Sequence, residues 1–172
     1  DPRDLLDSKP WDGVLGRYNL VVSHRQRRRL VIATNMRDSR HKPGAIRLPY
    51  DPNYPESTDL WLAKGTELIV CNTAQEFGVF NCGFYSVVEV REKSVLIQDD
   101  DYPDKMHAEV PLKKFQSLYR GRGAFTYQCS QGRTLSEGKI VLHGMRSKYM
   151  TKTHIYVGLS RARTLDQLTV AP

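Results

Sequence analysis

Asn19-Leu20-Val21-Val22-Ser23, followed from Arg25 to Asn35 by Arg-Gln-Arg-Arg-Arg-Leu-Val-Ile-Ala-Thr-Asn, decides the fold class. A short apolar run ending in a small polar residue predicts a buried strand, and the basic stretch behind it predicts a helix. Strand, tight turn and helix form the repeating step of an α/β sheet. The same character returns towards the C-terminus. Ala124-Phe125-Thr126-Tyr127 and Lys139-Ile140-Val141-Leu142 predict strands, and His154 to Leu159 leads into a helical turn at Ser160-Arg161-Ala162-Arg163. Leu168-Thr169-Val170-Ala171 then predicts a strand that closes the sheet.

Between these two regions the pattern changes. Pro43 to Pro55 holds four of the nine prolines and predicts a connector at a domain boundary. Beyond it, Thr66–Cys71, Phe84–Val90, Ser94–Gln98 and Ala108–Val110 read as strands. The turns between them fall at Gly78, at Asn81-Cys82-Gly83 and from Asp99 to Asp104. Short strands at such regular spacing predict a small antiparallel β-barrel. The expected organisation is an α/β lobe from residues 1–57 and 119–172, interrupted by a barrel at 58–118. There are no internal repeats and no low-complexity tract.

A chain of 172 residues that is 40% hydrophobic supports one domain carrying a small insertion. Its net charge of +7 divides unevenly. Residues 17–47 carry nine Lys/Arg against Asp38, and residues 120–163 carry nine against Glu137, so each segment is +8. Residues 51–118 hold twelve acids against six bases, a net of −6. Basic segments suit a phosphate-bearing partner, because each neutralised phosphate releases counterions, although a solvated basic surface has the same composition. No apolar run is long enough to span a bilayer, and no secretory leader is visible, so no membrane partner is expected. Cys71, Cys82 and Cys129 form no Cys-x-x-Cys pair, and no His-Glu-x-x-His occurs. Reduced thiols in an intracellular protein, without a metal site, are expected. Asp99-Asp100-Asp101 reads as a polar hairpin tip, since adjacent acids in a turn repel and point apart.

Two segments carry the chemistry: Thr126-Tyr127-Gln128-Cys129-Ser130-Gln131-Gly132-Arg133-Thr134-Leu135 and Ile155-Tyr156-Val157-Gly158-Leu159-Ser160-Arg161-Ala162-Arg163. In order and separation they resemble the last two motifs of superfamily 1 helicases of the RecD-like, petite-integration-frequency type. The segment from Lys64-Gly65-Thr66 to Gly78-Val79-Phe80-Asn81-Cys82-Gly83 resembles the entry into their inserted Src-homology-type barrel. The resemblance implies the second RecA-like lobe of an ATP-dependent DNA helicase that translocates on single-stranded DNA from 5′ to 3′, with work in DNA replication and repair. It implies that Arg161 is the arginine finger, whose fork of donors would stabilise charge on the transferred phosphoryl group. Ser130, Gln131, Gly132 and Arg163 would contact nucleotide. Ser23, His24, Arg25, Thr126 and Gln128 would contact nucleic acid. Tyr127, Tyr149 and Phe84 are aromatics able to stack on bases or to fill a core.

Three departures qualify the match. Gln128 and Cys129 stand where relatives have His-Lys, which removes one cation from the strand-binding track. Cys82 stands where a glycine is usual, at a turn that favours φ > 0. No Gly-x-x-x-x-Gly-Lys-Ser/Thr loop exists, since Gly138-Lys139 is followed by Ile140. The chain also begins at Asp1. It therefore reads as a fragment whose ATP and Mg²⁺ would be bound mainly by an N-terminal RecA-like lobe of the same protein, and which is inactive alone. Two rival readings are a viral-type superfamily 1 RNA helicase lobe and a non-catalytic nucleic-acid-binding module derived from a helicase.

Overall fold

Strand β1 (Tyr18–Val21) is buried at all four positions, as a strand covered on both faces of a parallel sheet must be. In the computed structural model, which describes residues 13–105, 107–135 and 137–171, the chain forms two compact units. One comprises the described residues up to Thr34 together with those from Gly123; the other is Asn35–Arg122.

Helix α1 (His24–Ser39) follows β1 directly. The Ser23 hydroxyl accepts the Gln26 N–H at 3.2 Å and so caps the first turn. Arg27, Leu30, Val31 and Thr34 recur at helical spacing and are all buried. The helix continues past its expected end at Asn35. There the side-chain amide is engaged elsewhere, donating to the Trp61 carbonyl at 3.0 Å and accepting the Trp61 N–H at 2.6 Å.

In the second unit β2 (Ile46–Leu48) and β3 (Leu60–Leu62) form an antiparallel ribbon, hidden in the sequence among prolines. The amide of Gln116 donates to the carbonyls of Leu48 and Thr58 at 3.1 and 3.3 Å. Strands β4 (Glu67–Val70), β5 (Phe84–Val90), β6 (Ser94–Asp99) and β7 (Ala108–Pro111) lead to the short helix α2 (Leu112–Leu118) and to β8 (Tyr119–Gly121). They make a five-stranded antiparallel half-barrel sheet in the order β7-β6-β5-β4-β8. Leu60, Leu62, Leu68, Val87, Ile97, Phe115 and Tyr119 fill its core.

The first unit resumes with β9 (Ala124–Thr126), β10 (Ile140–Leu142), helix α3 (Lys152–Leu159) and β11 (Leu168–Val170). Its sheet has the order β11-β10-β1-β9, and every pairing is parallel. The α/β lobe expected from the sequence is present, with β11 closing one edge. One local expectation is corrected. His154–Leu159 lies within a helix, and Arg161 comes just after that helix rather than opening one. Thr151 starts α3 by accepting the His154 N–H at 3.2 Å, a cap that outweighs the strand preference of Ile155, Tyr156 and Val157.

Candidate functional site

Strands β1 and β9 run side by side in one direction, with Val21 beside Thr126, so the segments that follow them emerge at the same end of the sheet. Ser23, His24 and Arg25 are exposed at the start of α1. Past β9, the Thr126 hydroxyl accepts the Cys129 N–H at 3.3 Å, and Gln128–Ser130 makes a single 3₁₀ turn with Gln128 exposed. The Gly144–Met150 loop leaves β10 at this end too. A Cβ built on Gly144 would lie 3.5 Å from Val22 and 3.6 Å from the Gln26 amide oxygen, so this loop lies against the start of α1. It presents Arg146, Lys148 and a 64% exposed Tyr149. The sequence marks Tyr149 as an aromatic; the two bases beside it become candidates only once the sheet order brings their loop here. Tyr127 and Phe84 are buried and belong to cores.

The two C-terminal motifs meet in space. Ser130 is buried, and its hydroxyl donates to the Tyr127 carbonyl at 2.6 Å, which tightens the turn. Gln131 and Gly132 are exposed, and Gly132 has a φ of 81°, where any other residue is strained. Across from them Gly158 lets α3 approach, since a Cβ there would lie 2.8 Å from the Tyr127 ring and 2.9 Å from Leu142. Arg161 then closes the arrangement. Its guanidinium donates to the carbonyls of Arg133 (2.6 Å), Ser130 (3.3 Å) and Val157 (3.1 Å) and to the Ser160 hydroxyl (2.9 Å). The backbone returns the contact, as the Leu135 N–H donates to the Arg161 carbonyl at 2.9 Å. The guanidinium thus brackets Gln131-Gly132 by holding the carbonyls on either side. Arg163 is exposed, with its N–H bonded to the Gln167 amide oxygen at 2.8 Å.

Under this arrangement lies a polar pair that sequence pattern does not mark. His143 is buried directly after β10, and its Nε2 lies 3.0 Å from Asn19 Oδ1. The Asn19 amide donates in turn to the Gly123 carbonyl at 2.7 Å. Desolvation pushes His143 down to about 4, so the ring is neutral and Nε2–H is the donor. Its carbonyl accepts the Tyr127 hydroxyl at 3.3 Å.

Not every base counted in the basic segments is available to a ligand. In the second unit Arg122 is 4% exposed, 2.7 Å from Glu67, in contact with Asp100, and stacked 4.7 Å from the Phe84 ring centre. Arg120 lies between Glu56 at 3.5 Å and the Cys71 sulfur at 2.8 Å. Among the described residues no group of three His, Cys, Asp or Glu is placed to hold a metal ion, and no helix is long and apolar enough to cross a membrane.

No protein-family model and no curated protein matches the chain. Solved structures do. A Bacteroides Pif1 bound to ssDNA superposes with a TM-score of 0.61 at 16% identity over 89% of this chain and 40% of its own. The Bacteroides Pif1 helicase in complex with ADP-AlF3 and ssDNA gives 0.61 at 18% identity over 97% and 44%. The chain has the fold of a Pif1 helicase lobe. The Pif1 helicase from Candida albicans agrees, with a TM-score of 0.52 at 17% identity over 98% of this chain and 49% of its own. The chain thus spans less than half the length of these Pif1 structures.

Proposed function

We propose that this chain is the second motor lobe of an ATP-dependent DNA helicase of Pif1 type, moving 5′ to 3′ on single-stranded DNA. The observation that carries the reading is the clasp of Arg161 on the carbonyls of Ser130 and Arg133, which joins the two C-terminal motifs around the exposed Gln131-Gly132. The Pif1 fold and its ssDNA-bound neighbours support it. In this reading residues 1–57 and 119–172 descend from the lobe and 58–118 from the inserted barrel.

Arg161 and Arg163 offer cations to nucleotide phosphates, and Gln131 and Gly132 offer an amide and an approachable backbone. Ser130 acts as a positioning residue, because its hydroxyl is turned into the fold. None of these groups is an anionic ligand for Mg²⁺, so the metal and most of the ATP contacts fall to a first lobe. Bound ATP supplies the phosphoryl group; Arg161 would meet the charge developing on it by exchanging its Ser160 contact at the exposed edge for phosphate oxygens. Ser23, His24, Arg25, Thr126 and Gln128 line the end of β1 and β9 where a strand would lie.

A second reading takes the same contacts as structural only. An arginine already held by backbone carbonyls serves a lobe that binds without catalysing. The two separate in the parent protein. A motor hydrolyses ATP with strong stimulation by single-stranded DNA and unwinds 5′-tailed duplexes, while the present chain alone hydrolyses none. Stimulation by RNA alone would move the assignment to the viral-type RNA helicases. A parent that binds single strands without hydrolysing ATP would leave the binding module.

A further inference from the structure

The ribbon β2–β3 turns one face inward and the other outward. Leu60 and Leu62 are buried in the core of the second unit, and Ile46 and Leu48 pack against it. By strand alternation the residues between them, Arg47 and Trp61, stand on the opposite face, where they are direct cross-strand partners. Arg40, exposed just beyond α1, places its guanidinium 5.8 Å from the centre of the indole. Arg47 keeps half its side chain exposed while Asp59 holds one nitrogen at 2.8 Å and fixes its direction. The two Asn35 hydrogen bonds pin the peptide of Trp61. The indole is half-buried, outside the buried core cluster, and carries the Arg40 guanidinium over its ring.

We propose that Trp61, Arg40 and Arg47 form a stacking site for an unpaired nucleotide of a single-stranded nucleic acid. A flat apolar ring takes a base on its open face, and the guanidiniums of the neighbouring Arg40 and Arg47 supply cations for the phosphates that flank that base. The indole favours this occupant over an acidic peptide, since it stacks on a base but adds nothing for a carboxylate that the two arginines do not already supply. The site lies wholly in the second unit. It rests on the reading that this chain handles single strands, but on none of the residues assigned to the first unit.

The chain has two tryptophans, so a Trp11→Phe background isolates Trp61 emission. Titration with fluorescein-labelled twelve-nucleotide oligothymidylate reads anisotropy of the DNA and emission of Trp61 together. The proposal requires quenching of Trp61 with the same midpoint as the anisotropy rise. It also requires a loss of affinity of at least about fivefold in Trp61→Ala and in the Arg40→Ala/Arg47→Ala pair, with most affinity kept in Trp61→Phe. If Trp61→Ala fails to fold, the quench in the Trp11→Phe chain and the arginine pair decide. A rise in anisotropy with constant Trp61 emission overturns the stacking site and leaves the proposed function standing. Flat anisotropy into the tens of micromolar overturns both. Equal quenching by a twelve-residue polyglutamate peptide, undisplaced by the oligonucleotide, overturns the proposal in favour of a protein partner.

Discussion

His143 shows how one side chain ties the sheet to pH. The fold holds its ring neutral, with a value near 4 against an ordinary 6.5, because burial penalises the cation. The unfolded chain takes up a proton below about pH 6.5 and the folded chain does not until near pH 4. The stability that this histidine contributes is therefore complete above pH 6.5 and is lost as pH falls towards 4, by up to about 3 kcal/mol. Urea unfolding of wild type and His143→Gln between pH 7 and 4.5 should show the steeper decline in wild type; equal slopes would remove the assignment. Gln131 tests function at the same scale. As a mere loop residue, its change to alanine would shift stability by no more than about 0.5 kcal/mol and leave the parent's motor untouched. As a coupling residue, Gln131→Ala should keep part of the basal ATPase while lowering the ratio of single-strand-stimulated to basal turnover. An unchanged ratio with normal unwinding returns the segment to a structural loop.

At the scale of elements, the turn into β5 carries local strain. The Gly83 N–H bonds the Phe80 carbonyl at 2.9 Å, and both Cys82 and Gly83 face Val70 across β4, which makes a one-residue bulge. Cys82 has a φ of 62°, in the left-handed region that a Cβ disfavours. Cys82→Gly should raise unfolding free energy by about 0.5–1 kcal/mol and Cys82→Val should lower it. Identical denaturant midpoints in all three chains would contradict that strain. The anomaly was legible in the sequence as a cysteine at a glycine position, and β5 was legible to the residue because Phe84–Val90 is an unbroken β-favouring run. Helix α3 was not, since Ile155, Tyr156 and Val157 prefer strands and only the Thr151 cap reverses them. The ribbon β2–β3 was masked by prolines that sit outside its paired residues. The order and separation of the two motifs were legible in the sequence; their meeting in space was not. The direction of the Arg161 guanidinium was not, because it is set by carbonyls some thirty residues away along the chain.

Across the whole molecule, net charge overstates the cations open to a ligand. Arg122 and Arg120 lie inside the second unit against Glu67, Asp100 and Glu56, partners that only the fold supplies. Arg122→Ala should cost about 3 kcal/mol of stability, because it leaves carboxylates without their buried partner, and should not alter the salt dependence of single-strand binding. Arg25→Ala should do the reverse: near-normal stability, with the slope of log affinity against log salt reduced by about 0.7. Salt titrations of both variants check this, and a changed slope for Arg122→Ala would contradict the placement. The central claim, that this lobe completes an ATP-hydrolysing motor, falls most directly on Arg161. Single-strand-stimulated ATP turnover of the full-length parent should fall at least about a hundredfold in Arg161→Ala, with nucleotide affinity nearly unchanged. Turnover equal to wild type in a folded Arg161→Ala protein would contradict the account.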